Sequence, residues 1–469
     1  MLSGLHLTTD IVRRIERIFE SEIEKGLARG SGDPHVSSLQ MENTYIPELP
    51  NGTEQGQYLA LDLGGTNFRV LLLELEHAPD GGRLQDIVVR EEVKHYHIPD
   101  EMRLGCGREL FDYLAYCLHD FVTDKKVEGA LTEFNHNHDG DRHQSPLPLG
   151  FTFSFPMEHH SLDVGILVSW TKSFKCSNTV GHDVVKMLRE AIERHGDMDV
   201  EVEAILNDTT GTLVQGANLD PRTAIGCILG TGSNACYIEK ASKVKHWEGD
   251  RHGEKEVIID IEWGAFGDNG VIDFMKTEFD REVDNKSLLV NSFTFEKYIS
   301  GKYLGEINRT ILEKLCREGL LFGGKASEKL LKHDSFSAHF VSLIEGDTIQ
   351  GITTETEKIL KDLGLKYTSD DIKIVQHVCE LTSNRAALLV SICLATLLRR
   401  MNRPDTTIAV DGSLYKFHPR LKTLMNKYIH LLAPGKKFRL MLAEDGSGKG
   451  AALAAAIAKR LRRRLMNET

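Results

Sequence analysis

Tyr58-Leu59-Ala60-Leu61-Asp62-Leu63-Gly64-Gly65-Thr66-Asn67-Phe68-Arg69-Val70-Leu71-Leu72-Leu73 is an apolar run, a glycine turn and a second apolar run. Near-continuous apolar stretches of this length read as strands buried on both faces. Glycines let the chain reverse and let backbone N–H groups approach an anion, and the Thr hydroxyl adds a donor. The piece therefore predicts a hairpin whose tip can hold a phosphate. Ala224-Ile225-Gly226-Cys227-Ile228-Leu229-Gly230-Thr231-Gly232-Ser233-Asn234-Ala235-Cys236-Tyr237-Ile238 repeats the pattern, again with Asn one residue after Thr or Ser. Either turn alone would be an ordinary hairpin. The pair predicts two related halves facing one polyphosphate, a nucleotide site split between domains.

Two other glycine motifs fail on inspection. Gly230–Ala235 fits the dinucleotide pattern G-x-G-x-x-G/A, but that pattern needs a helix after it, and Cys236-Tyr237-Ile238-Glu239 reads as strand. Gly448-Lys449 has the centre of a Walker A loop, yet Ala443 stands where its first glycine belongs and Gly450 where Ser or Thr belongs.

A chain of 469 residues exceeds one ordinary core, so two domains are expected. With 41% hydrophobic and 27% charged residues it has the composition of a globular enzyme. A formal charge of −12 argues against a nucleic-acid partner. The one basic cluster, Lys459–Arg464, reads as a solvated helix end. Eight cysteines without a Cys-x-x-Cys pair, and no signal peptide at the start, predict reduced thiols in the cytoplasm. The apolar run Ala386–Leu398, closed by Arg385 and Arg399, reads as a buried helix too short to cross a bilayer, so no membrane span is expected.

Periodicity places an amphipathic helix after Thr8-Thr9, a helix from Gly107, a strand Leu147–Phe153, a helix Asp183–His195 closed by Gly196, and a strand Val200–Asn207. Strands Val257–Ile261 and Thr407–Val410 follow, and Glu444–Gly450 opens an Ala-rich helix. Asn135–His143 shows neither period and reads as a surface insertion whose histidines match no common metal spacing.

Asn207-Asp208-Thr209-Thr210 stands directly after a buried-type strand. A carboxylate there can serve as acid or base over a cleft, or simply cap a helix. Trp170-Thr171-Lys172 follows a β-rich run, so Thr171 and Lys172 can donate to hydroxyls or phosphate. Glu262 follows another buried strand, and Glu296 lies in Phe295–Gly301. Carboxylates and amides with few cations suit a neutral polyol.

Together these strings resemble the hexokinase family. Leu61–Val70 (LDLGGTNFRV), Leu149–Pro156 (LGFTFSFP), Trp170-Thr171-Lys172, Asn207-Asp208-Thr209, Gly230–Tyr237, Glu262–Gly267, Glu296–Gly305, Val410–Lys416 (VDGSLYK) and Gly446–Leu453 (GSGKGAAL) stand in the family's order across nearly the whole chain. The resemblance implies an α/β chain with the actin-like ATPase (ribonuclease H-like) fold, two domains with mixed five-stranded sheets around a sugar/nucleotide cleft. The small domain is expected at 57–206, completed by the helix 446–465. The large one is expected at 207–445, with residues 1–56 packing on it.

By the same resemblance Ser154, Thr171, Lys172, Asn207, Asp208, Asn234, Glu262 and Glu296 line a hexose pocket, Asp208 is the catalytic base and Lys172 assists. Asp62, Gly64, Gly65, Thr66, Asn67, Thr231, Gly232, Ser342, Gly412 and Ser413 are expected on the nucleotide side. The implied reaction is ATP-dependent phosphorylation of the 6-hydroxyl of glucose or a related hexose, with Mg²⁺ carried on the ATP phosphates and no dedicated protein ligand. Ser173 replaces the family's usual Gly after Trp-Thr-Lys, Ser233 a commoner Thr, and Ala338 a frequent Thr, while Ser342 is retained. No second hairpin pair follows, and Met1–His6 is not a long apolar leader, so a single unit is expected. Two rivals stand beside this reading: an actin- or chaperone-like ATPase, and a sugar sensor that does not turn over.

Overall fold

The computed structural model describes residues 2–29, 37–64, 67–77, 87–137, 146–172 and 174–468. Its strands are β1 (Glu42–Asn43), β2 (Gly56–Leu63), β3 (Asn67–Leu75), β4 (Val88–His97), β5 (Leu147–Phe153), β6 (Met157–Ser161) and β7 (Val164–Leu167). They continue with β8 (Val200–Leu206), β9 (Thr223–Leu229), β10 (Ser233–Lys240), β11 (Glu256–Asp260), β12 (Asp405–Asp411) and β13 (Lys437–Leu442). One sheet has the order β4-β3-β2-β5-β8, a second β1-β11-β10-β9-β12-β13, and β6 pairs with β7. The second sheet thus has six strands, not the expected five, because two-residue β1 adds an edge on β11. Two residues carry no readable period.

Both turns close antiparallel hairpins, with Leu63 opposite Phe68 and Leu229 opposite Ser233. Strands β2, β5 and β8 run parallel, as do β9, β12 and β13. The sheets are buried on both faces, which is why their strands read as unbroken apolar runs. In β2, Leu59 and Leu61 face a core completed by the helices Gly107–Val122 and Val184–His195, while Tyr58 and Ala60 face the opposite core. In β9, Ile225, Cys227 and Leu229 face the core of the second sheet. Ile15, Phe19 and Ile23 of the helix Thr9–Leu27, capped by Thr8, belong to that same core.

Helices Asp208–Leu219 and Gly446–Glu468 lie between the two sheets and share a core with Ala60, Leu71, Ala224 and Ile258. Small residues permit this. A Cβ on Gly150 of β5 would come within 1.9 Å of the Ala451 carbonyl, and one on Gly226 of β9 within 2.4 Å of the Thr209 carbonyl. Where the helices cross, a Cβ on Gly450 would sit 2.0 Å from Gly211 O, and one on Gly211 2.7 Å from Ser447 O.

Three elements differ from the sequence reading. Ala386–Leu398 is part of a 33-residue helix, Ser369–Met401, long and apolar enough by composition to cross a membrane. In the fold 89% of its most apolar stretch is buried. Arg385, read as a helix end, is internal and pairs with buried Asp280 at 2.8 Å. Asn135–Asn137, read as insertion, end the helix Lys125–Asn137, and His138–His143 lie outside the described residues. The helix Asp208–Leu219 was read only as an alternative, with Asp208 as its cap, because DTTGTLVQGANL is rich in β-branched residues and glycine; Asn207 is the cap instead. Tertiary burial overrides that weak propensity.

Candidate active site

The carboxyl ends of the parallel strands converge on one cleft: Gly64 after β2, Ser154 after β5, Asn207-Asp208 after β8, the turn 230–232 after β9, and Gly412-Ser413 after β12. Ligands in open α/β sheets bind outside such ends. Gly64 stands by Ser154, whose Oγ would be 3.7 Å from a Cβ there and is buried without a hydrogen-bond partner. Gly230 stands 3.5 Å, measured from a built Cβ, from Gly412 Cα, so the second turn and Gly412-Ser413 touch. Gly412 holds φ +113°, where a Cβ would strike Leu229 O at 2.4 Å. Only glycine serves there.

Asp208 is the first residue of its helix, and the cap is Asn207, whose Oδ1 accepts the Thr209 N–H at 3.1 Å. That division of labour leaves the Asp208 carboxylate free of capping. Its neighbour is Lys172, with Nζ 3.7 Å from Oδ2. Lys172 and Glu262 both hold left-handed backbone, φ 54° and 53°. Each such non-glycine residue costs about 1–3 kcal/mol, which the surrounding packing offsets.

Asn207 Nδ2 donates to Glu262 Oε1 at 3.2 Å, joining one proposed sugar contact to another. Asn234 Nδ2 donates to Asp260 Oδ1 at 2.7 Å, while its Oδ1 accepts from Ala235 N and Trp263 N. Glu296 Oε2 accepts the Ser233 N–H at 3.0 Å, and Ser233 Oγ accepts from the Trp263 indole at 3.0 Å. The hydroxyl kept by Ser233 therefore orients Trp263. Burial pushes the Glu262 carboxyl well above its ordinary range, reinforced by the charges of Asp260 and Asp208. Burial also raises Glu296, against the Ser233 N–H and Lys172. A pocket walled by raised carboxyls and amides can both donate to and accept from adjacent hydroxyls.

On the nucleotide side Asp62 has a structural partner that sequence reading missed. Its Oδ2 pairs with Arg69 and accepts from Ser447 Oγ at 2.7 Å, and Arg69 reaches Asp445 at 2.6 Å. Asp62 thereby ties the first hairpin to the start of the helix Gly446–Glu468, while Oδ1 faces Gly64. Gly65, Thr66 and Ser173 lie outside the described residues, as does the side chain of Asn67. Thr231 is exposed at the turn tip. Ser342 donates to Ala338 O of its own helix at 3.1 Å, and among the described residues no hydrogen bond links it to the cleft. Asp260, absent from the sequence reading, is buried with Ser154, Asn207 and Asn234. Only its position two residues before Glu262 pointed to it.

Because a Cβ on Gly232 would lie 2.7 Å from Glu296 Oε2, the turn expected at the phosphate and the carboxylate expected at the sugar are not separate. Gly232→Val is expected to weaken hexose binding at least about tenfold along with turnover, since a branched Cβ displaces a buried carboxylate. Calorimetric titration with glucose reads this. Unchanged affinity would show that Glu296 does not bear on the sugar.

Two family models described as hexokinase match residues 1–218 and 224–457. The chain is 41% identical over 467 residues to Hexokinase-1 of Homo sapiens and 42% over 468 residues to Hexokinase-2 of the same species. Both alignments take in 98% of this chain and 48% of the relative, so the chain spans about half the length of those curated relatives. The hexokinase from Schistosoma mansoni, solved with glucose, superposes with a TM-score of 0.84 at 39% identity over 97% of each chain. Fold, cleft and sequence agree from end to end: this chain belongs to the hexokinase family.

Proposed function

We propose that this chain transfers the γ-phosphoryl group of ATP to the 6-hydroxyl of glucose or a related hexose. The observation that carries the reading is the position of Asp208, first in its helix with the capping left to Asn207, and beside Lys172. Asp208 accepts the hydroxyl proton as the sugar oxygen bonds to phosphorus. The bond from phosphorus to the bridging oxygen breaks, and ADP leaves. Glu262, Asn207, Asn234, Glu296 and Ser154 orient the sugar, with Thr171 and Lys172 at the reacting end. Backbone N–H groups of the two turns receive charge on the transferring group.

Mg²⁺ fits this site as a passenger of ATP. The donors present are hard carboxylate oxygens, Asp62 Oδ1 facing Gly64 and Asp411, whose oxygens accept from Gly412 N and Gly446 N. Among the described residues, the two side-chain groups with metal-ligand spacing lie elsewhere, at His119/His195/Asp197 and Glu306/His333/Asp334. When bound, the ion supplies Lewis-acid neutralisation of phosphate charge. Residues 57–206 with 446–465 are proposed as one lobe and 207–445, carrying 1–56, as the other, with the protein in the cytoplasm and no nucleic-acid partner.

A panel of hexoses and 6-deoxyglucose, assayed for ADP, tests the reading. ADP should appear only with sugars bearing a free 6-hydroxyl. Sugar-independent ADP formation would favour an actin- or chaperone-like ATPase, and binding without ADP a sensor.

A further inference from the structure

Asp260 lies at the end of β11, 5% exposed, behind the proposed sugar contacts. Its Oδ1 accepts from Asn234 Nδ2 at 2.7 Å and from Thr209 Oγ1 at 3.2 Å. Thr209 Oγ1 also lies 3.0 Å from Asn207 Oδ1, and Asn207 reaches Glu262. Thr209 has one hydroxyl proton for two acceptors, so the state of Asp260 decides where it points. With Asp260 ionised, the proton goes to Asp260 and the bond from Asn234 is charge-assisted. With Asp260 protonated, its own O–H can donate to Thr209, whose proton then turns to Asn207, and Asn234 is held by a weaker neutral bond.

The groups facing Asp260 are mostly acidic: Asp208 at the start of the helix Asp208–Leu219, Glu42 across on β1, Glu262 two residues on, and the Cys236 thiol opposite on β10. The nearest cations are already engaged, Arg29 with Glu42 and Lys172 with Asp208. We propose that Asp260 is a positioning residue of the sugar site, fixing Asn234 and Thr209 through its carboxylate, so that its protonation weakens hexose binding. Burial, with the charges of Asp208 and Glu42, pushes its carboxyl up to about 7, against the donors Asn234 and Thr209. The switch therefore falls in the neutral range. The proposal rests on the hexokinase reading of this cleft.

The test is calorimetric titration of glucose into wild type and Asp260→Asn from pH 6 to 8, with ADP formation measured alongside. Wild type should bind about fivefold more weakly at pH 6 than at pH 8, the difference between a charged and a neutral buried hydrogen bond. Asn copies the protonated acid in shape and donors. The variant's affinity should be flat with pH and close to the wild-type value at pH 6. Folding supplies a second reading. A carboxyl raised in the folded state costs stability that is absent below the unfolded value near 3.8, grows as pH rises toward about 7, and then levels off. Asp260→Asn should accordingly raise the thermal midpoint at pH 8 and not at pH 4. A pH-independent wild type overturns the proposal. A slope retained in Asp260→Asn also overturns it and assigns the effect to Glu262, which the substitution leaves in place. If wild type forms no glucose-dependent ADP at pH 8, the functional reading fails instead.

Discussion

Asp208→Asn should lower kcat by about 10²–10⁴ while the glucose dissociation constant changes only a few-fold. The amide keeps the size of the side chain and can still meet a sugar hydroxyl, but it cannot take the proton. Helix start and cap should survive, because Asn207 performs the capping and position 208 only opens the helix. Loss of the negative charge leaves Lys172 Nζ without its partly buried partner at 3.7 Å. Phosphoryl transfer with a loose transition state moves the proton late, which favours the lower part of the range. Rapid-quench measurement of a single turnover separates this from product release. A folded variant retaining more than about a tenth of wild-type kcat would remove Asp208 from proton transfer and bring forward Glu262.

Gly450→Ala should be among the most damaging single methyls at the described glycines. The added Cβ meets a backbone carbonyl at 2.0 Å, and backbone cannot step aside by changing rotamer. The two central helices must separate, opening the core they share with both sheets. Overpacking of this kind costs about 3 kcal/mol, which over 469 residues lowers the thermal midpoint by roughly 3 °C. Gly211→Ala attacks the same crossing from the other side, so the double variant should fall well short of the sum of the two. A Gly450→Ala protein melting within 1 °C of wild type would show that the crossing is not tight.

Much of the fold was legible because both sheets bury both faces, so their strands announce themselves as apolar runs. β5 runs from Leu147 to Phe153, as read, and both hairpins form where the glycine turns stand. The helix opened by Asp208 stood only as an alternative because its stability comes from burial between two sheets, which Thr-Thr-Gly-Thr does not announce. The long helix was cut short for the opposite reason. Arg385 is a charge in a core, and its partner Asp280 is distant in sequence. At the site, Asn207 bonds to Glu262, and Asn234 and Glu296 are joined through Trp263 and Ser233. The partners of Asp62, and Asp260 altogether, eluded the reading because their meaning lies in pairs formed across the fold, with Ser447 and Thr209.

The second glycine turn is bolted to its surroundings from two sides. Gly301 N donates to Gly230 O at 2.8 Å and Lys302 N to Thr231 O at 3.0 Å, while Ser233 N holds Glu296. For an engineer wishing to retune sugar choice, this removes a degree of freedom. Glu296 and the turn proposed to serve ATP are mounted on one bracket, spanning residues 296–302. A library that varies that segment for a new sugar will shift the apparent affinity for ATP in the same clones. Selection at low ATP would discard them, so such a screen should be run with ATP saturating and the nucleotide affinity repaired in a second round.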